Sequence, residues 1–212
     1  MKTIKLHSAM LLGMFAAATF TSCVDGDDDG LTATILETDE QKANALSAMA
    51  GMYNGTLYYY DSTAAQNTGS TAFMWTINSN GTFQANNFPV SILANYTSDV
   101  QTKAILSQAG FKKITGKVEP YAAFSSYYQA SFLPDNTENE WTVTLENGEE
   151  PTTHTVSLSL TQSYTYNSTS VYSTFAFETT NRTLQGTILL DKMTIDGTLY
   201  DLKSNIAISG IR

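Results

Sequence analysis

Cys23 is the only cysteine of the 212-residue chain, and the residues around it indicate a defined chemistry. An apolar segment over residues 9–20, too short to cross a bilayer as a helix, follows two lysines. The small residues Thr21 and Ser22 precede the cysteine, an order that resembles a lipobox, in which the sulfur is acylated. The sequence therefore predicts a signal peptide over residues 1–22 and lipidation of Cys23. The alternative is an ordinary signal peptide cut nearby, which leaves Cys23 as a free thiol.

Four aspartates follow the cysteine almost at once: Asp25, Asp27, Asp28 and Asp29. Their spacing matches the first half of an EF-hand loop, but the closing glutamate would fall at Leu36, and Glu37 is one position late. An acidic cluster after a lipidated cysteine is also similar to the surface-export signal of Bacteroidetes lipoproteins. The third interpretation is a solvated tether over residues 23–37 that like charges keep extended. The sequence favours the export signal and the tether, which are compatible, over calcium binding.

Few residues point to catalysis or metal binding. His154 is the only histidine after the signal peptide, and a histidine-based metal site needs further His or Cys ligands, so we predict no metal and no cofactor. A Ser-His-Asp triad is not excluded by counting, but no Gly-x-Ser-x-Gly motif occurs. We expect His154 to be a rim histidine at the start of its strand. A glycosidase would need paired carboxylates, but the acidic residues lie mostly in predicted loops or at their edges: Glu138, Glu140, Glu149 and Glu150. We therefore expect a protein that is not an enzyme.

Tyrosines in predicted strands are more suggestive of binding. Tyr58, Tyr59 and Tyr60 are consecutive, so at least one of them faces outward from a strand. An exposed Tyr ring can stack on a sugar and form a hydrogen bond through its hydroxyl. The alternative is ordinary packing of Tyr at strand edges. The candidate ligand-binding residues are Tyr58, Tyr60, Trp75 and Tyr128.

Ser62 is a candidate for modification. The segment Asp61-Ser62-Thr63 resembles the O-glycosylation sequon of Bacteroides and lies in a polar loop predicted over residues 61–70. This resemblance implies a sugar on the Ser62 hydroxyl.

Composition and charge exclude several classes of protein. After residue 22 the chain has 190 residues, enough for one domain with a full core and too few for two. Without the two lysines of the signal peptide, 9 basic residues stand against 20 acidic ones, a net charge of about −11. Nucleic acid is therefore not an expected partner, because phosphate binding needs a positive surface.

Helical patterns are confined to two short segments. Thr38 and Gln41 form a capping box that begins a helix, and Gly51 would end it. A second helix is expected over residues 100–109. Its cap is expected at Thr97 or Ser98, and the apolar face of the first helix is expected to comprise Ala43, Leu46, Met49 and Ala50.

Strand patterns dominate the remaining sequence. Turn signals at Asn80-Gly81, Asn147-Gly148 and Asp196-Gly197 separate several of them. Many short strands with such turns predict one mainly β domain over residues 38–212, an antiparallel barrel or sandwich whose interior is either filled or holds a ligand. The predicted strands cover residues 52–60, 71–77, 82–88, 114–118, 121–133, 140–146, 153–166, 171–179, 184–190, 193–195, 198–200 and 204–211.

Three short motifs carry a family resemblance: Met49-Ala-Gly-Met-Tyr53-Asn-Gly55, Asn80-Gly-Thr-Phe83 and Asn87-Phe-Pro-Val90. With the acidic lipoprotein N-terminus, they resemble uncharacterised lipoproteins of gut Bacteroidetes. The resemblance covers about residues 38–93. Some of those lipoproteins have calycin-like (lipocalin-like) barrels, so the resemblance implies that fold, and it brings no catalytic residues.

Together these observations predict a lipoprotein anchored at the outer membrane and exposed at the cell surface. We expect a non-catalytic binding module for a glycan or a small ligand. One alternative is a structural or interaction subunit of an envelope complex that binds no small ligand, and a further alternative is an unrecognised hydrolase.

Overall fold

The computed structural model describes residues 33–146 and 150–212. The signal peptide, Cys23 and the four aspartates after it lie outside the described residues, as does the predicted Asn147-Gly148 turn. Within the described residues, two α-helices, α1 (Asp39–Met49) and α2 (Val100–Gln108), and short 3-10 helices at Ala65–Asn67 and Val90–Tyr96 accompany thirteen strands. The strands are β1 (Thr34–Ile35), β2 (Gly51–Tyr60), β3 (Thr68–Ile77), β4 (Thr82–Pro89), β5 (Phe111–Ala123), β6 (Tyr127–Asp135), β7 (Glu140–Leu145), β8 (Thr152–Thr161), β9 (Ser163–Tyr166), β10 (Thr169–Tyr172), β11 (Thr174–Glu178), β12 (Thr183–Ile195) and β13 (Thr198–Ile211).

Eight of these strands form a closed antiparallel barrel. In spatial order they are β2, β3, β4, β5, β6, β11, β12 and β13, so each neighbour in space is also the next barrel strand along the chain. The barrel closes where β13 pairs with β2, from Ala207 opposite Tyr58 to Ile211 opposite Asn54. The prediction of a mainly β, calycin-like domain is confirmed. Of the two predicted architectures, barrel and sandwich, the chain adopts the barrel.

Strands β7 to β10 are inserted between the fifth and sixth barrel strands. The first part of β12 pairs with β11, whereas its second part, from Leu189 to Ile195, pairs with β8 along the same edge. The second part of β12 and the first part of β13 therefore leave the barrel and continue with β8 and β7 as a second region, here called the extension sheet. Helix α2 packs on this sheet, and the Thr102 and Tyr200 hydroxyls lie 2.8 Å apart.

Aromatic side chains fill the barrel. Phe83, Phe132 and Phe175 are fully buried and form a three-ring cluster with centroid separations of 5.1 to 5.6 Å. Beside them, the Tyr53 and Trp75 rings are stacked with their centroids 5.3 Å apart. Small barrels either fill their interior with side chains or keep a cavity. This barrel is of the filled kind.

Two glycines in the barrel wall make room for these rings. Gly116 on β5 faces Phe132, and a Cβ at this position would lie 2.3 Å from a ring carbon. Gly186 on β12 faces Phe175, where the corresponding distance is 2.1 Å. Any larger residue would collide with a buried ring, so the wall and its filling are matched in shape.

Helix α1 covers one end of the barrel. Its capping box is as predicted: the Thr38 hydroxyl accepts a hydrogen bond from the Gln41 N–H, and the Gln41 side chain accepts one from the Thr38 N–H. The predicted apolar face is only partly right, because Ala45 and Met49 are buried whereas Ala43 is exposed.

Arg212 fixes the end of α1 to the barrel. Its guanidinium donates hydrogen bonds to the carbonyls of Ala48 and Ala50 and lies 5.6 Å from the centroid of the Phe177 ring. Tyr53 donates a 2.5 Å hydrogen bond to the Met49 carbonyl. Burial raises the pKa of Tyr53, and the nearby Arg212 charge opposes this only in part, so the phenol remains a donor.

Several element boundaries differ from the predictions. The strands predicted over 184–190 and 193–195 are one strand, β12, and those over 198–200 and 204–211 are one strand, β13. The strands predicted over 153–166 and 171–179 are each divided in two, into β8 and β9 and into β10 and β11. The cap of α2 is Asp99, whose carboxylate accepts the Thr102 N–H at 2.7 Å, and not Thr97 or Ser98. The predicted strand over 121–133 is interrupted by the turn between β5 and β6. Residues before Thr38 belong to the domain, because Leu36 is buried and β1 pairs with β5.

The packed interior predicts a large cost for removing one ring. We expect Phe132→Ala to lower the free energy of unfolding by about 3–5 kcal/mol, because it removes a fully buried ring and leaves a cavity. Phe111→Ala is the matched control, since Phe111 is 67% exposed and its loss should change stability by about 0.5 kcal/mol or less. Urea unfolding measures both, and equal effects would contradict the filled interior.

Candidate functional site

The four predicted ligand-binding residues do not converge on one site. Trp75 is buried inside the barrel with 2% of its surface exposed, so the proposed ligand contact is replaced by core packing on Tyr53. Tyr128 on β6 lies opposite the buried Phe177 and packs against the core. Tyr58 and Tyr60 are half-buried on β2. The Tyr60 ring packs on Tyr96, with the two centroids 6.1 Å apart.

A different aromatic group lies at the hairpin between β5 and β6. The rings of Phe124 and Tyr127 are stacked, with centroids 4.2 Å apart and planes within 10° of parallel. Tyr121 is 38% exposed, and its hydroxyl donates a 3.0 Å hydrogen bond to the Gln129 side chain. We call Tyr121, Phe124, Tyr127 and Gln129 the outer aromatic cluster.

The backbone of the hairpin positions this cluster. The Phe124 N–H donates to the Tyr127 carbonyl at 2.8 Å and closes the turn. The register shifts between Pro120 and Ala122, so an extra residue is accommodated at Tyr121. Tyr128 is among the predicted ligand-binding residues, whereas Tyr121 and Phe124 are not, because Phe124-Ser-Ser126 carries no Gly or Pro to signal a turn.

Burial keeps the tyrosines of the cluster protonated. It raises the pKa of Tyr121, with a smaller contribution from Tyr127, and it also raises the pKa of Tyr127. At neutral pH both phenols are therefore protonated and can donate a hydrogen bond, as the Tyr121 hydroxyl does to Gln129. The cluster offers flat apolar rings, phenol hydroxyls and an amide without a formal charge, and this combination suits a neutral polyhydroxylated ligand.

A second exposed surface is apolar. Met52, Met74 and Ile211 are 64%, 52% and 61% exposed. Asn54 on β2 lies opposite Met74 on one neighbouring strand and opposite Ile211 on the other, so the three apolar residues surround it on the barrel wall. We call Met52, Met74 and Ile211 the apolar patch.

Ser62, the candidate for modification, is exposed in the connection between β2 and β3. The Asp61 carboxylate accepts hydrogen bonds from the N–H and the hydroxyl of Thr63, at 2.9 and 2.7 Å, which lowers the pKa of Asp61. The turn leaves the Ser62 side chain on the surface.

His154 lies near the start of β8, but it is buried in the extension sheet with 9% of its surface exposed. Its Nδ1 lies 2.7 Å from Asp196 Oδ2, and its Nε2 lies 3.0 Å from Thr152 Oγ1. The other carboxylate oxygen of Asp196 accepts the Thr155 N–H at 2.9 Å. The hydrogen bond to His154, followed by the one from Thr155, lowers the pKa of Asp196.

The lowered pKa of Asp196 predicts a pH-dependent stability. The carboxylate stabilises the fold above its ordinary pKa of 3.8, and this stabilisation is lost as the pH falls through the lowered value. Because half of the side chain is exposed, the contribution is screened and should be about 1 kcal/mol or less. Urea unfolding of wild type and Asp196→Asn should differ at about pH 5 and converge towards about pH 2. Asp201→Asn on β13 is the control, and a difference that persists in acid would contradict the assignment.

No helix within the described ranges is long and apolar enough to span a membrane. The same residues contain no group of three or more His, Cys, Asp or Glu side chains placed to hold a metal ion.

Neither the curated proteins nor the solved structures include a match to this chain. A family model described as a domain of unknown function, DUF4840, matches residues 48–195, from the end of α1 to the end of β12. The chain is therefore a member of the DUF4840 family.

Proposed function

We propose that this protein is a lipid-anchored module at the outer-membrane surface of a Bacteroidetes cell and that it binds a glycan through the outer aromatic cluster. The observation that carries the proposal is the stacked Phe124–Tyr127 pair beside the hydrogen-bonded Tyr121 and Gln129. The filled barrel supports it, because buried rings occupy the space where a barrel of this size would otherwise hold a ligand.

The chemistry of the cluster favours a sugar over other ligands. A pyranose ring presents an apolar C–H face that packs on aromatic rings, and its hydroxyls pair with phenol and amide groups. The net charge of −9 for the whole chain disfavours phosphate-rich ligands and nucleic acid.

The predicted anchor would hold this cluster close to the membrane. Residues 24–33 separate Cys23 from β1, and a segment of ten residues can span at most roughly 36 Å. The chain then joins the barrel directly beside the cluster, where the Leu36 N–H donates to the Tyr121 carbonyl at 2.9 Å. A glycan that lies near the outer-membrane surface is therefore the expected ligand.

The apolar patch favours a second candidate function. Three large exposed apolar side chains on one part of the barrel wall would suit a protein partner, so the chain would be an interaction subunit of an envelope complex. The double variant Met52→Ser, Met74→Ser separates the two functions. In whole cells this variant should no longer be cross-linked to a protein partner that the wild type binds, and its glycan binding should be unchanged.

A glycan array with the purified domain tests the main proposal. For a glycan that binds, we expect Tyr127→Ala to raise Kd about tenfold or more, since one lost stacking contact is worth about 1.4 kcal/mol or more. Tyr172→Ala is the matched control, because Tyr172 is 55% exposed on β10, away from the cluster. Equal affinities of the two variants, or no bound glycan, would refute the proposed site.

The anchor is tested at the sulfur. Wild-type protein should yield an N-terminal peptide with acylated Cys23 and partition with membranes, because two or three acyl chains at about 0.8 kcal/mol per buried CH₂ anchor a protein stably. Cys23→Ala should be recovered in the soluble fraction. A variant with Asp27, Asp28 and Asp29 changed to Ala is the control, since it keeps the lipid and should lose only surface exposure. Membrane partition of Cys23→Ala would contradict the anchor.

A further inference from the structure

Thr152, His154 and Asp196 form a chain of side-chain hydrogen bonds at one end of the extension sheet. The distances are 3.0 Å from Thr152 Oγ1 to His154 Nε2 and 2.7 Å from His154 Nδ1 to Asp196 Oδ2. Thr152 and His154 are two residues apart on β8, so their side chains share one face of the sheet. The Asp196-Gly197 turn joins β12 to β13 and brings the carboxylate to the histidine.

The hydrogen-bonding capacities assign the protons in this chain. The Asp196 carboxylate is ionised at neutral pH and can only accept, so a neutral His154 carries its proton on Nδ1. Nε2 is then an acceptor, and the Thr152 hydroxyl donates to it. The Thr155 N–H holds the second carboxylate oxygen and so fixes the orientation of the acid. A hydroxyl, a base and an orienting acid are the parts of a hydrolase triad, which is recognised by geometry and not by chain order.

The hydroxyl end of this chain opens to solvent, whereas the histidine is buried. Thr152 is exposed and lines an open groove of about 420 Å³. The groove runs between the first half of α2 and the end of β7, and its other lining residues are Val100, Gln101, Ala104 and Leu145. Mostly apolar walls next to a hydroxyl suit an uncharged ester with a short acyl chain.

We propose that Thr152 is a nucleophile that accepts an acyl group from short-chain esters bound in this groove. This activity is separate from glycan recognition at the outer aromatic cluster, and it departs from the expectation of a protein that is not an enzyme. Thr152 Oγ1 forms a bond to the carbonyl carbon and its proton passes to His154 Nε2. The bond between the carbonyl carbon and the leaving oxygen breaks, and the leaving alcohol takes the proton from Nε2. Asp196 accepts the hydrogen bond from Nδ1–H while the imidazole is protonated, and water later releases the acyl group as an acid.

The test is the reaction of the purified protein with p-nitrophenyl acetate. We expect a burst of nitrophenolate that approaches one equivalent and an acetyl group on the peptide that contains Thr152, read by mass spectrometry. His154→Gln keeps a polar side chain of similar size but removes the base, and should slow the burst about 10²-fold. Thr152→Val should abolish both signals.

Thr153→Val is the matched control, since Thr153 is an exposed neighbour on the opposite face of β8 and its loss should leave the burst unchanged. Wild-type protein that acquires acetyl groups only on lysines would overturn the proposal without reference to any variant. The proposal would also be overturned if His154→Gln had the same unfolding midpoint as the wild type and the same burst rate. Both readouts are independent of glycan affinity, so failure of this activity and failure of the proposed function are distinguishable.

Discussion

The packing of aromatic rings inside the closed barrel is the interaction on which the rest of the structure depends. Closure pairs β13 with β2, and the enclosed space is then occupied by the three-ring cluster of Phe83, Phe132 and Phe175 and by the stacked Tyr53 and Trp75. Gly116 and Gly186 in the barrel wall leave room for these rings, so packed side chains fill the interior. Because these rings fill the interior, the proposed binding sites lie on outer surfaces that the barrel strands support.

Two such surfaces arise from departures from a regular barrel. A one-residue irregularity in β5, followed by a tight turn, gathers the outer aromatic cluster near the point where β1 joins the wall. The insertion between β6 and β11 extends β12 and β13 beyond the barrel, and the extension sheet then brings His154 to Asp196. The closely packed core supports the strands that flank these two irregular segments.

Local signals made much of the fold predictable. The Thr38–Gln41 capping box and the turns at Asn80-Gly81 and Asp196-Gly197 depend on residues at most three apart, and the structure has all three. Competing caps were harder, since Thr97, Ser98 and Asp99 all suit a helix start. In the structure Asp99 is the cap, and the Thr97 hydroxyl instead accepts a hydrogen bond from the Asp99 N–H.

The candidate sites were less predictable, because they depend on long-range pairing. Alternation placed Trp75 on a face of β3 but could not tell the inside of a barrel from the outside. His154 and Asp196 are 42 residues apart, and their meeting follows from the pairing of β8 with β12, which no short motif encodes.

The proposed glycan recognition takes place on the outer wall because side chains fill the interior. The most direct measurement is a ¹³C-aromatic NMR titration of Phe- and Tyr-labelled protein with a glycan that binds. We expect the Tyr121, Phe124 and Tyr127 resonances to shift and those of Phe83, Phe132 and Phe175 to remain unchanged. Shifts of the buried rings with the outer aromatic cluster unchanged would show that the barrel opens to hold its ligand, and would contradict recognition on the outer wall.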